Sequence, residues 1–254
     1  MRANWKTMKN KPLAKSKIME KIFFTIFCFA LWANSYGQKT EFSIAFNSGL
    51  FSFTGQSAEK ETFINYNSVK NSSYTNNPYG AENGLCYGLS ANIKRVNKNN
   101  FVFGFDLGYE ILRSKIQVNS VVDYSGMVNY TFDVTGQTFL NANFINLNPQ
   151  IGYRLSVKQV SIDLLTGFDV AFYISAWEKG KATTSQGTAF STLLDRKTIN
   201  TDIRPRFQVS MGFKKVGAYL GNSIGLANYK SGYVGGINEC YARLFRFGLT
   251  YKIK

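Results

Sequence analysis

Four acids and four arginines have types and spacing that could do chemistry: Asp106, Glu110, Asp163 and Asp169, with Arg154, Arg204, Arg206 and Arg246. Two carboxylates held close together can divide into a general acid and a general base when their surroundings push their pKa values apart. The sequence has no histidine. That removes Ser-His-Asp and Cys-His nucleophile systems, HExxH zinc sites and histidine acid–base catalysis. It also contains no phosphate-binding glycine loop, EF-hand acid ladder, paired CxxC motif or nucleophile elbow. The competing reading is charge pairing, in which the acids neutralise the arginines inside a dry, narrow space, because an unpaired buried charge is costly. Pairing is the better-supported reading, so the sequence predicts no enzyme, no cofactor and no metal site.

The elements that must position these residues are strands. From residue 41 onward the hydrophobic period is 2, the pattern of extended chain with one apolar face. In Phe101–Leu112, Phe101, Phe103, Phe105, Leu107, Tyr109 and Ile111 oppose Val102, Gly104, Asp106, Gly108, Glu110 and Leu112. The same split recurs over 42–51, 85–94, 145–155, 160–175, 203–213, 216–226 and 245–253, which makes eight segments. Ser48 and Asn222 interrupt two apolar faces, and Pro149 removes a ladder donor where a bulge is expected. Three connections are short turns, near 97–100, 156–159 and 214–215. The other four, roughly 54–83, 113–138, 177–201 and 228–240, are long and rich in Asn, Ser, Thr, Gly and Tyr. Short turns at one end and long loops at the other suit an all-β, eight-stranded antiparallel up-and-down transmembrane barrel with surface loops.

Alternation alone does not say which face points outward. The soluble alternative is a secreted lipocalin-like barrel, apolar inside and polar outside. Three features favour the membrane version. The less apolar face is full of Gly, Ser and Asn, as the cramped lumen of eight strands requires. Its charges are of both signs, and the four acids and four arginines all lie on it with Lys94 and Lys252. The apolar faces carry no charge, as lipid contact demands, since Lys or Arg at the bilayer midplane costs ~2–4 kcal/mol. A narrow channel is a further alternative, although eight strands leave room for little but side chains.

The segments FINLNPQIGYRL (144–155) with Pro149, GLANY (225–229) and the closing RLFRFGLTYKIK (243–254) resemble, in order and spacing, the PorT-like outer-membrane β-barrel family. In architecture this is close to OmpX/OmpA-type barrels. The resemblance spans residues 38–254. It implies outer-membrane lipid and the barrel-insertion machinery as partners, and a structural, adhesion or secretion and envelope-assembly accessory role. The chain departs from such barrels at its end, Tyr251-Lys252-Ile253-Lys254, where an aromatic commonly closes the strand.

Residues 1–37 read as a cleaved signal peptide. A basic stretch precedes an apolar run from Ile22 to Ala33, and small residues Ser35 and Gly37 place cleavage before Gln38. Met19 is an alternative start. Residues 38–254 then form the barrel domain, and the localisation expected is the bacterial outer membrane. The whole sequence carries 30 Lys+Arg against 15 Asp+Glu, a charge of +15. The signal removes seven bases and one acid, leaving 23 against 14, or +9. Lys94, Arg95, Lys98, Arg154, Lys158, Lys214, Lys215, Lys252 and Lys254, in the short turns and the C-terminus, equal that excess. The charge is therefore read as an export signal and a basic periplasmic rim, with no nucleic-acid partner.

Two features remain. Cys86 and Cys240 both face inward near the loop end by strand parity, and in an oxidising compartment they can pair. Strands flanking the first one lie about 9–10 Å apart, however, and a disulfide wants Cα atoms within ~7 Å. Within the 113–138 loop, Val128, Tyr130, Phe132 and Val134 continue the alternation around a turn at 124–127. The third and fourth strands are thus expected to protrude as a ribbon whose unpaired edge can capture a protein partner by strand addition.

Overall fold

Bulky apolar side chains alternating with small or charged ones specify extended chain, and strands dominate the computed structural model. It describes residues 39–196, 199–232 and 238–253. The expected signal peptide, 1–37, lies outside the described residues. The strands are β1 (Lys39–Thr54), β2 (Glu61–Asn67), β3 (Ser72–Thr75), β4 (Glu82–Val96), β5 (Phe101–Asp123), β6 (Tyr130–Val157), β7 (Val160–Thr184), β8 (Ala189–Asp195), β9 (Thr201–Phe213), β10 (Val216–Ile224) and β11 (Tyr241–Lys252).

Eight of these strands form a ring. In the order β1, β4, β5, β6, β7, β9, β10, β11, each pairs antiparallel with both neighbours. The ring closes between β1 and β11, from Ser43 opposite Lys252 to Thr54 opposite Tyr241. Closure pairs each of the eight strands on both sides and leaves none of them at an open edge, as a structure spanning hydrocarbon requires. The faces settle the orientation. Phe46, Phe103, Tyr109, Phe168, Phe207, Leu220 and Leu249 are exposed on the outside, while Asp106, Asp169, Arg204 and Arg246 are buried within. A lipocalin-like barrel would show the reverse. The chain is a transmembrane barrel with its apolar belt toward lipid.

Pro149 forms no bulge. It points outward in register opposite Phe105, and the β6–β7 register runs continuously from Leu147/Val170 to Gln150/Gly167. The missing N–H costs one ladder bond and needs no extra residue. A bulge lies instead at Asn143/Phe144, where Asn143 faces Ser175 but Phe144 faces Tyr173. An extra residue reverses side-chain parity beyond it. Below the bulge Phe168, Phe172 and Ile174 of β7 face out; above it Trp177, Lys179 and Lys181 do, and Glu178 turns in.

Beyond the belt, β5, β6 and β7 continue as a sheet. The ladder of β5 and β6 runs up to Asp123 opposite Tyr130, so the expected ribbon is present. Its expected open edge is mostly covered, leaving only residues 130–133 of β6 beyond the last β7 pair. The backbone of β2 pairs parallel along β5 from Glu61/Gln117 to Tyr66/Asp123, and β7 covers β6 as far as Val134/Thr184. The chain meets the hydrogen-bonding need of its own ribbon below that point. The upper sheet therefore has the order β3-β2-β5-β6-β7-β8 and encloses Ile64, Val118, Val121, Val134 and Ala182.

Its two outer edges curl toward each other and are clipped by side chains. Buried Glu178 accepts the Thr75 N–H at 2.8 Å and pairs with Arg196 at 2.6 Å. Arg196 in turn donates to the Thr75 carbonyl. Thr75 Oγ1 lies 3.0 Å from Thr138 Oγ1 and 3.4 Å from Thr192 Oγ1. Gly180 makes room for this, since a Cβ there would sit 2.3 Å from Thr138 Oγ1.

Candidate functional site

The candidate site is the lumen. Alternation places its residues: on β9 the inward run is Asp202, Arg204, Arg206, Gln208 and Ser210, and on β6 it includes Asn146, Asn148, Gln150 and Arg154. Inward residues of neighbouring strands stand at matched heights, so charges meet across the barrel in two tiers.

The lower tier is near the short turns. Arg154 grips Glu41 with both terminal nitrogens, Nη1 to Oε1 at 3.0 Å and Nη2 to Oε2 at 2.9 Å. It also donates to Asp163, from Nε at 2.6 Å and from Nη2 at 3.0 Å. Lys94 Nζ reaches Asp163 at 3.1 Å and Lys252 Nζ reaches Glu41 at 2.8 Å. Such forked, charge-assisted bonds are the strongest and most orienting of the ordinary hydrogen bonds.

The upper tier is centred on Asp169, which is fully buried. It accepts from Arg246 Nη1 at 2.5 Å, Ser223 Oγ at 2.9 Å, Asn146 Nδ2 at 3.1 Å and Arg206 Nη1 at 3.3 Å. Arg246 Nη2 also donates to Glu110 at 2.7 Å, and Arg204 donates to the other oxygen of Glu110. Arg204 Nε lies 3.8 Å from Asp202, whose carboxylate accepts the Tyr229 hydroxyl at 2.9 Å. Asp106 accepts from Gln150 at 2.8 Å and from Asn92, with Arg206 at 3.8 Å.

Six acids (Glu41, Asp106, Glu110, Asp163, Asp169, Asp202) thus face six cations (Lys94, Arg154, Arg204, Arg206, Arg246, Lys252). Their formal charges cancel. Little space is left: a vestibule of about 60 Å³ at the short-turn end and a void of about 10 Å³ beside Glu110 and Arg246. Above the charges, Phe51, Phe53, Tyr79, Leu112, Leu140, Phe144, Tyr229 and Leu244 form an apolar plug. Loop residues Tyr79 and Tyr229 pack edge-to-face on Phe53 there, at 5.2 and 4.9 Å. No group of three or more His, Cys, Asp or Glu among the described residues is placed to hold a metal ion.

All eight residues singled out from sequence face the lumen; Arg154 and Asp163 sit in the lower tier and the other six in the upper. Cys86 and Cys240, whose pairing the sequence left open, are both free, buried thiols. Cys86 stands opposite Gly49, whereas Cys240 lies beside Gly55. Six residues along β1 is roughly 20 Å, beyond the reach of a disulfide. Lys94, Arg154 and Lys252, counted both on the inward face and in the basic rim, turn inward and leave the rim. Glu41 and Asp202 went unremarked in the sequence, although the parity of their strands marks both as inward. The Glu178–Arg196 pair was hidden, because the bulge reverses β7 just before Glu178.

No protein-family model and no curated protein matches the chain. Several solved structures are similar to it. One is Ail, the attachment invasion locus protein of Yersinia pestis, in complex with the heparin analogue sucrose octasulfate; it is 9% identical, with 86% of this chain and 100% of that one covered and a TM-score of 0.32. Another is Neisserial surface protein A, 8% identical over 85% and 99%, TM-score 0.33. A third is the translocator domain of the autotransporter NalP from Neisseria meningitidis, 12% identical over 94% and 96%, TM-score 0.28. The barrel assignment rests on the closed ladder and its apolar exterior, not on these likenesses.

Proposed function

We propose that the chain is a non-enzymatic protein of the bacterial outer membrane whose working part is the ordered sheet raised above the bilayer. Its role is structural, adhesive, or accessory to secretion or envelope assembly, the last being the duty to which the PorT-like resemblance points. One observation carries this reading. The lumen is filled by paired charge and capped by an apolar plug, while β2, β3 and β8 are added to build a rigid platform outside. A reaction needs a substrate-sized site, and a channel needs a path. Lumen cavities of about 60 and 10 Å³ are small for either, which supports this reading.

The platform ends in exposed Tyr124, Met127, Val128, Tyr130 and Phe132. An apolar cluster held out in solvent favours a protein partner at the 113–138 loop through side-chain contact, with the short β6 edge of residues 130–133 beside it. Cell fractionation with heat-modifiable gel mobility tests the placement, and crosslinking then identifies neighbours. The expected result is a heat-modifiable band in the outer-membrane fraction. Recovery as a soluble periplasmic monomer overturns the reading.

A further inference from the structure

The outward face of the barrel changes chemistry at the β6–β7 bulge. Below it lie Tyr109 and Ile111 of β5, Ile145 of β6, and Phe172 and Ile174 of β7. Directly above it come Trp177, then Lys179 and Lys181 on β7, Phe139 on β6, and Arg113 and Lys115 on β5. The ladders set these in rows: Arg113–Asn141–Trp177, then Lys115–Phe139–Lys179, then Gln117–Gln137–Lys181. Adjacent strands are about 4.8 Å apart, so Lys115 and Lys179 flank the Phe139 ring with backbones ~10 Å apart. The height is informative. Ile111 is ten residues above Phe101, which at ~3.3 Å per residue and ~40° tilt is about 25 Å, the thickness of the apolar band. The cations therefore begin where hydrocarbon ends.

We propose that Arg113, Lys115, Lys179 and Lys181 form a binding site for the phosphate groups of an outer-leaflet phosphoglycolipid, whose acyl chains lie on the belt beneath. The proposal rests on the outer-membrane placement above. Arg113 is preorganised: its guanidinium stacks over Phe139 at 5.4 Å and Nε donates to Asn141 Oδ1 at 2.7 Å, which aims a planar fork along the surface. Lys115 is engaged by Glu82 at 2.8 Å. Among the described residues, no ion pair engages Arg113, Lys179 or Lys181. Four acids are close in sequence or register. Glu61, exposed on β2 opposite Gln117, accepts from Asn119 at 3.1 Å. Glu82 is used by Lys115, Glu178 is buried on the inner face with Arg196, and Asp195 is exposed on β8 opposite Trp177. The outward patch thus keeps four cations against three acids, Glu61, Glu82 and Asp195. Trp177, exposed at the foot of the patch, fits the headgroup level, where aromatic belts sit.

The test uses the full chain folded in detergent, with folding verified by heat-modifiable mobility. Native mass spectrometry measures retention of bis-phosphorylated lipid A, of the same lipid stripped of phosphate, and of inorganic phosphate and sucrose octasulfate as soluble anions. The expected result is at least tenfold greater retention of the phosphorylated lipid. K179Q/K181Q and R113Q/K179Q/K181Q should reduce it toward the dephosphorylated level, whereas K70Q at the far end of the platform leaves it unchanged. Equal retention of both lipids, indifference to the substitutions, or soluble anions outcompeting the lipid each overturns the proposal. Failure with the chain still in the outer-membrane fraction sinks this site alone; recovery in the soluble fraction sinks the placement as well.

Discussion

Asp169→Asn removes one charge from the centre of the upper tier while keeping the shape of the side chain. In the native lumen this carboxylate receives Arg246, Arg206, Asn146 and Ser223, and Arg204 Nε lies 3.9 Å away. The amide accepts fewer bonds and leaves three buried arginines facing Glu110, Asp106 and Asp202. Breaking a buried pair from one side costs about 3–5 kcal/mol, because the partner charge stays desolvated. At about 1.4 kcal/mol per decade, the folded-to-unfolded ratio falls by roughly two to three and a half orders of magnitude. Reversible urea titration in detergent, followed by the heat-modifiable band, reads this directly. Adding Arg246→Met should recover part of the loss, with a coupling energy of about 1–3 kcal/mol, since removing both partners spares the uncompensated charge. A loss below about 1 kcal/mol, or strict additivity of the two changes, would refute the dry, paired lumen.

Reconstituted in planar bilayers, the protein should show no stable open level, and a steady conductance would contradict the filled lumen. Glu178→Gln should raise amide hydrogen exchange over Ser72–Thr75 and Ala189–Asp195, because Glu178 and Arg196 hold the Thr75 backbone, while the urea midpoint of the barrel stays put; unchanged exchange would remove the clip. Burial pushes the Cys240 thiol up to about 12, so thiolate is scarce at pH 8 and maleimide should label neither cysteine before denaturation. The mass should not change on reduction, and a two-proton shift would restore the disulfide.

The barrel was legible in the sequence because lipid and lumen impose opposite demands on alternate residues, and eight segments satisfy both. The lumen charges were legible for the same reason: once Phe103 and Phe105 face out, Asp106 and Glu110 must face in. Legibility stopped where a residue of bulge entered. Reading Phe168, Phe172 and Ile174 onward at period 2 puts Glu178 outside and Lys179 inside, the reverse of the structure. A bulge has no signature in residue type here. It lies at Asn143/Phe144, six residues from the proline that seemed to announce one. The added strands were equally hidden, since the polarity of β2 and β3 is that of a solvated loop; ETFINYN becomes a strand along β5, and SSYT in turn along β2.

The charge of the chain follows the same logic one level up. Of the nine bases assigned to a periplasmic rim, Lys94, Arg154 and Lys252 are taken by Glu41 and Asp163 inside. The rim nonetheless stays basic. Lys39, Arg95, Lys98, Lys158, Lys214 and Lys215 surround the short-turn end, and Glu41, the nearby acid, points into the lumen. Six acids against six bases neutralise the interior, so the excess must lie outside the barrel wall. There it can reach only lipid headgroups or solvent, since charge at the midplane of the belt costs ~2–4 kcal/mol. Beside the apolar belt, positive charge therefore gathers at two heights. One is the short-turn rim; the other is the row that begins at Arg113 and Lys179. A barrel whose exterior is apolar between two cationic bands is set at a fixed depth, because moving it along the membrane normal in either direction drags lysine or arginine into hydrocarbon.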